Sequence, residues 1–141
     1  MLKRFAVAAV LVAMSLPGHA ADDVATVERL GMQAYAALLC WPADANETVS
    51  LKHHEYFKRK TAALMSIMDA APAEQQQKMA DKLYIGFYGA YTYRREPIAF
   101  RQGFMLASTA SLVSRLREDH PGNKRQEFET NTLCSTLDLD S

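Results

Sequence analysis

The sequence predicts an all-α protein: a single-domain, up-and-down bundle of four to five helices closed by one disulfide. Three observations carry that prediction. Apolar residues recur at helical spacing in five segments, and no stretch shows sustained apolar/polar alternation. The segments are joined by short connections marked by proline or glycine, which favour antiparallel neighbours. Two cysteines, Cys40 and Cys134, stand near opposite ends of the part of the chain that is expected to fold.

The N-terminus is expected to be removed. Met1-Leu2-Lys3-Arg4 is a charged start, Phe5 to Leu16 is an apolar run, and Pro17-Gly18-His19-Ala20-Ala21 breaks it before small residues. This is the layout of a secretory signal peptide, with cleavage after Ala20 and Gly18 and Ala20 at the two positions a signal peptidase reads. The apolar run is too short to serve as an anchor. Its residues cover about 18 Å as helix against a hydrocarbon core of about 30 Å. Residues 1–20 are therefore the signal peptide and 21–141 the working domain, with a periplasmic location.

The first helix is expected from Asp23 to Cys40, with Val24, Val27, Leu30, Ala34 and Leu38 on one stripe. Trp41-Pro42 stops it, because the residue before proline is driven out of α geometry. After a polar loop, Ser50 caps a second helix that carries Leu51, His54, Phe57, Leu64, Met65 and Met68 inward. Pro72 suits the opening of a third helix, with Glu74 in its first turn, running to just before Pro97 and burying Met79, Leu83, Phe87 and Ala90. A fourth is expected from Ile98 to Glu118 through Phe104, Met105, Leu112, Val113 and Leu116. His120-Pro121-Gly122-Asn123 ends it. A last helix, Lys124 to Leu137, would present Phe128, Leu133 and Leu137.

In an exported chain two thiols usually pair, so Cys40 and Cys134 are expected to form the closing bridge. Its loop is long enough for loop entropy to contribute up to about 4–5 kcal/mol. Stability in the envelope is expected to depend on it.

Charge excludes one class of partner. Loss of Lys3 and Arg4 leaves 14 of the 16 basic residues against 16 acidic ones, a slightly acidic balance with no footprint for nucleic acid. No later segment approaches 18 consecutive apolar residues, so stable membrane insertion is not expected.

Residue types that carry chemistry do not converge in the sequence. His53-His54-Glu55 looks like half of a zinc-protease helix, but the residue four after His54 is Lys58, where the second ligand would stand. Adjacent histidines diverge by about 100° around a helix. They read as one core-edge and one solvated histidine. The carboxylates are scattered beside lysine or arginine at helical spacing, such as Asp81 with Lys78 and Lys82, or Glu118 with Arg115. No phosphate loop, serine elbow or haem-attachment motif occurs. No catalytic residue, cofactor or metal site is therefore expected; a haem or metal carried between helices is the weaker alternative, and seven methionines read as core filler.

The segment Leu83 to Arg101 stands apart. Tyr84, Tyr88, Tyr91 and Arg95 would fall on one stripe of the third helix, with Arg94 beside them and the core stripe of Leu83, Phe87 and Ala90 adjacent. Tyrosine and arginine are enriched at protein-binding hot spots. Two readings stay open: a docking surface built from these five residues, or a wide buried face with hydroxyls at its rim. Gly86 and Gly89 each cost helix stability, about 1 kcal/mol relative to alanine, which a close helix or partner backbone would explain.

The layout is similar to that of the periplasmic immunity proteins that neutralise type VI secretion amidases: exported, single-domain and all-helical. The likeness lies in size and in one cysteine near each end of the mature chain, the second in Leu133-Cys134-Ser135-Thr136-Leu137-Asp138. It implies a non-catalytic binding protein, often dimeric, that plugs the cleft of an envelope-targeting enzyme. The partner is expected to be another envelope or secreted protein, and a homodimer is compatible. The two-cysteine plan is also similar to that of the acid-stress chaperone of the enteric periplasm, which implies a holdase; the tyrosines depart from that class.

Overall fold

The computed structural model describes residues 17–42, 45–119 and 132–141. Every regular element among them is helical: α1 (Pro17–Leu39), α2 (Glu47–Ala70), α3 (Ala73–Ala80), a 3-10 turn (Ile85–Phe87), α4 (Gly89–Thr92) and α5 (Ile98–Asp119). A further helical turn covers 132–135. The fold is all-α and closed by the Cys40–Cys134 disulfide, with Cα atoms 5.5 Å apart. Among the described residues no helix is long and apolar enough to cross a membrane.

The stripe expected on α1 is the one that packs. Val27, Leu30, Ala34 and Ala37 are buried, with Val24 and Leu38 at the margin. Small alanines on this face let α2 approach closely, and α1 and α2 form the principal pair of the bundle. α1 begins at Pro17 rather than Asp23, and gives way to a turn at Cys40.

α2 differs from expectation in its start and its phase. Asn46, not Ser50, is the cap: it has extended geometry and its Oδ1 accepts from the Val49 N–H at 3.0 Å, with Glu47 in the first turn. Ser50 lies inside the helix and its hydroxyl accepts from the Trp41 indole N–H at 3.2 Å. Starting one turn earlier does not move the inward face, which His53, Tyr56, Phe57, Thr61, Leu64, Met65 and Met68 define. Leu51 is exposed and His54 only half-buried. The stripe through His53 and Phe57 is the one aligned with Leu64 and Met68 at helical spacing.

The largest departure is the third helix. It ends at Ala80, and Leu83 to Glu96 is a chain of short turns instead of a continuation. Tyr84 is extended at φ −60°, ψ 150°. Two glycines, β-branched Ile85 and four aromatic rings between 84 and 91 give this stretch weak helical propensity. Packing then decides. A Cβ on Gly86 would overlap Thr109 Oγ1 and lie 3.1 Å from Thr109 Cα, and one on Gly89 would run into the Phe104 ring. The glycines are where this segment is pressed onto α5. α3, the 3-10 turn and α4 still deliver Met79, Phe87 and Ala90 to the buried core, with Leu83 against its edge, as the sequence expects.

α5 matches its predicted span, but its buried face is partly polar. Met105 is fully buried, whereas Phe104 is 39% exposed. Arg101, Gln102 and Thr109 are buried beside Met105. Gln102 Nε2 donates to the Lys58 carbonyl at 2.9 Å and to Thr61 Oγ1 at 3.0 Å, while the Thr61 hydroxyl donates to the Phe57 carbonyl at 2.7 Å. These bonds join α5 to α2 and satisfy the amide donors that burial would otherwise strand. The predicted His120–Asn123 stop, the Lys124–Asn131 part of the last helix, with Phe128, and the side chains of Val113 and Leu116 lie outside what is described; Leu137 and Leu139 pack against the core edge.

Candidate binding surface

The aromatic segment is held from below by an ion pair whose arginine is buried. Arg101 is 1% exposed, and its guanidinium forks onto Asp69 of α2, Nη1 to Oδ2 at 2.7 Å and Nη2 to Oδ1 at 2.9 Å. Nη2 also donates to the carbonyl of Ala90 in α4. One side chain of α5 thus binds α2 and α4 together. The geometry is the planar bidentate match for which arginine, and not lysine, is suited. Sequence reasoning missed it because an arginine at the start of a helix reads as solvated. A pairing between positions 32 residues apart leaves no local signal.

Above this clamp, Tyr84-Ile85-Gly86-Phe87-Tyr88 divides its side chains between two sides. Phe87 is buried and meets Phe57 edge-on at a centroid distance of 6.0 Å. Ile85 is 84% exposed, and Tyr84 and Tyr88 are each 42% exposed. Tyr84 stacks on Tyr35 of α1, centroids 4.4 Å apart and planes 17° apart. Partial burial raises the Tyr35 phenol above its ordinary pKa, and the neighbouring Tyr84 adds to the rise. Tyr88 meets Tyr91 edge-to-face at 6.1 Å, and the Arg94 guanidinium lies 4.9 Å above the Tyr91 ring.

The five residues singled out in the sequence are therefore close in the chain's path but do not share one helical stripe. Tyr91 leans on the core, as a rim would, and Tyr84 is exposed but stacked on Tyr35. Tyr88, Arg94 and Arg95 face outward.

Comparison with family models, curated proteins and solved structures returns no match. The surface has to be read on its own chemistry.

Sequence reasoning left out half of the surface. Ile98 and Phe100 on the first turns of α5 are 43% and 51% exposed, and Phe104 lies one turn further on. Tyr93 bridges Phe100 and Phe104 to the end of α4, its ring 5.5 Å from the first and 4.7 Å from the second. Because Gly89 sits against Phe104, the turn that carries Ile85 and Tyr88 adjoins the stripe of Phe100 and Phe104. The signal was present for Phe100 and Phe104, which stand four residues apart on a stripe turned away from Met105. Exposed apolar side chains grouped in this way mark interaction sites more often than scattered ones do.

His53 and His54 are placed apart, as their adjacency requires. His53 is buried, its Nδ1 2.9 Å from the Val49 carbonyl, and Trp41 stacks near it at 6.0 Å. The His54 ring lies 6.4 Å from the same indole. Among the described residues no three His, Cys, Asp or Glu side chains converge as a metal site would need.

Proposed function

We propose that the mature chain is a non-catalytic binding protein of the periplasm that docks on another envelope or secreted protein and blocks it, in the manner of an inhibitor or immunity protein. The observation that carries this reading is the exposure of Ile85 between two half-exposed tyrosines, on a segment whose backbone is clamped by Arg101. A large aliphatic side chain left in water adds nothing to the packing of the isolated fold. Rings and guanidinium groups around it supply the composition of a hot spot whose ordering cost on binding is already low.

Export has support from α1. Cleavage after Ala20 would start the helix at Ala21 and bring Asp22 and Asp23 into its first turn, where the helix dipole favours carboxylates. As it stands, the first turn carries no acidic residue.

Tyr88→Ala combined with Arg95→Ala tests the docking role, with Ile85→Asp as a second variant. All three side chains are exposed, so helical circular dichroism is expected to stay near wild type while capture of the partner is lost. Unfolding of the double variant would make these residues core and remove the proposal. Exposed apolar rows also suit a holdase. Stoichiometry separates the two: an inhibitor forms one saturable complex, whereas a holdase suppresses aggregation of many clients.

A further inference from the structure

The segment 132–141 lies across one side of the α1–α2 pair, and its attachments are unequal. Leu137 and Leu139 reach the core only at its edge and remain half-exposed. Arg59 Nη2 donates to the carbonyls of Leu139 at 2.9 Å and Ser141 at 3.4 Å, both exposed bonds. Lys52 pairs with Asp140 at 3.7 Å between side chains that are 54% and 83% exposed. Exposed pairs of this kind hold little. Among the described contacts the covalent link Cys40–Cys134 is the strongest attachment, and both cysteines are only partly buried.

Beneath and beside the segment is a cleft of about 500 Å³. Its apolar lining includes Met32 and Ala36 of α1, Tyr56 of α2, and Leu133 and Leu137 of the segment itself. The main core of the bundle, Val27, Leu30, Ala34, Phe57, Leu64, Met65, Phe87 and Met105 among it, draws no buried residue from 132–141. The bridge thus ties a surface strap to the end of α1. It does not hold one core helix against another.

We propose that Thr132–Ser141 is a redox-released strap, latched by Cys40–Cys134 and covering the α1–α2 cleft while the bond is closed. The reductant is an external dithiol of the Cys-x-x-Cys class. One of its thiolates attacks a bridge sulfur, forming a mixed disulfide and releasing the other cysteine as a thiolate. Its second thiol then resolves the mixed disulfide. The donor leaves as a disulfide, and two electrons and two protons remain on Cys40 and Cys134 as two thiols. Without the latch, the exposed contacts of Arg59 and Lys52 do not keep the strap seated, and the Met32–Ala36–Tyr56 side of the cleft opens to solvent.

Amide hydrogen exchange on the purified oxidised protein, before and after dithiothreitol, tests this, with thiol alkylation to verify complete reduction. Exchange within 132–141 is expected to speed up by about tenfold or more, while peptides from α2 (47–70) and the first part of α5 (98–112) keep their protection. Unchanged exchange in 132–141 after full reduction would overturn the proposal. So would a joint loss of protection in α1, α2 and α5, which would make the bridge a staple for the whole bundle. Arg59→Ala supplies the second arm. In the oxidised protein it is expected to leave the strap slow to exchange; release as complete as that on reduction would show that Arg59, not the disulfide, is the latch.

Discussion

Removing either member of the Arg101–Asp69 pair breaks the same two hydrogen bonds, yet the two truncations are expected to differ in cost. Asp69→Ala leaves a guanidinium that is 1% exposed with the Ala90 carbonyl as its remaining described acceptor. Stranding a buried charge costs about 3–5 kcal/mol, and the lower part of that range applies because Asp69 is 39% exposed, so water can enter where the carboxylate stood. Arg101→Met keeps much of the buried stem volume and leaves behind a carboxylate that hydrates readily. It loses the bond to the Ala90 carbonyl and the paired charge, together about 1–2 kcal/mol. Asp69→Ala should therefore be the more damaging substitution, by about 1–2 kcal/mol on those same figures. Once Arg101 is methionine, adding Asp69→Ala should cost almost nothing more. Urea unfolding followed by circular dichroism reads this directly: with a slope of about 1.5 kcal/mol per molar, a loss of about 3 kcal/mol moves the midpoint by about 2 M. If Arg101→Met is the worse variant, or if the two effects simply add, the guanidinium is not held as a desolvated charge and the clamp argument fails.

The glycines offer a paired test: Gly86→Ala forces a Cβ against Thr109 backbone and should destabilise by about 1–3 kcal/mol, whereas Gly103→Ala, with open space around it on α5, should stabilise by about 0.5–1 kcal/mol, both by thermal or urea unfolding. Tyr35 titrates above its ordinary value in the folded state, so unfolding releases its proton earlier; stability is intact below pH 10 and falls as pH rises from there through the folded pKa. Tyr35→Phe should flatten that alkaline fall, and an unchanged slope would assign it to other groups. Reduction of Cys40–Cys134 frees the strap while α1, α2 and α5 stay packed, so the urea midpoint read by helical circular dichroism should shift by much less than the about 2–4 kcal/mol that loop entropy alone would give, and a full shift of that size would make the bridge a staple of the whole bundle.

Periodicity made α1, α2 and α5 legible, because long amphipathic stretches bury the stripe they display. The pairing of Cys40 with Cys134 followed from counting two cysteines in a chain read as exported. What stayed hidden depends on contacts between distant positions. Arg101 and Gln102 read as solvent-facing, and only the bonds to Asp69, Ala90, Lys58 and Thr61 make their burial affordable. The stretch from Asp81 to Glu96 has an apparent helical repeat, which places Phe87 and Ala90 in the core although they are carried by a 3-10 turn and the short α4 and not by one continuous helix. There the close approach of Gly86 to Thr109 outweighs a weak local preference. The binding surface was half legible for the same reason. Its tyrosines and arginines stand out by composition, but the stripe of Phe100 and Phe104 belongs to it only through Tyr93 and Gly89.

The docking role rests on one exposed segment, and Ile85 is its most exposed large apolar side chain. Size-exclusion chromatography with light scattering, on protein purified together with whatever binds it, is the most direct measurement. Wild type is predicted to run as a stoichiometric complex with one other protein, and Ile85→Asp to run alone with its helical content unchanged. A wild-type chain that stays alone, or an Ile85→Asp chain that keeps the same complex, would contradict the account.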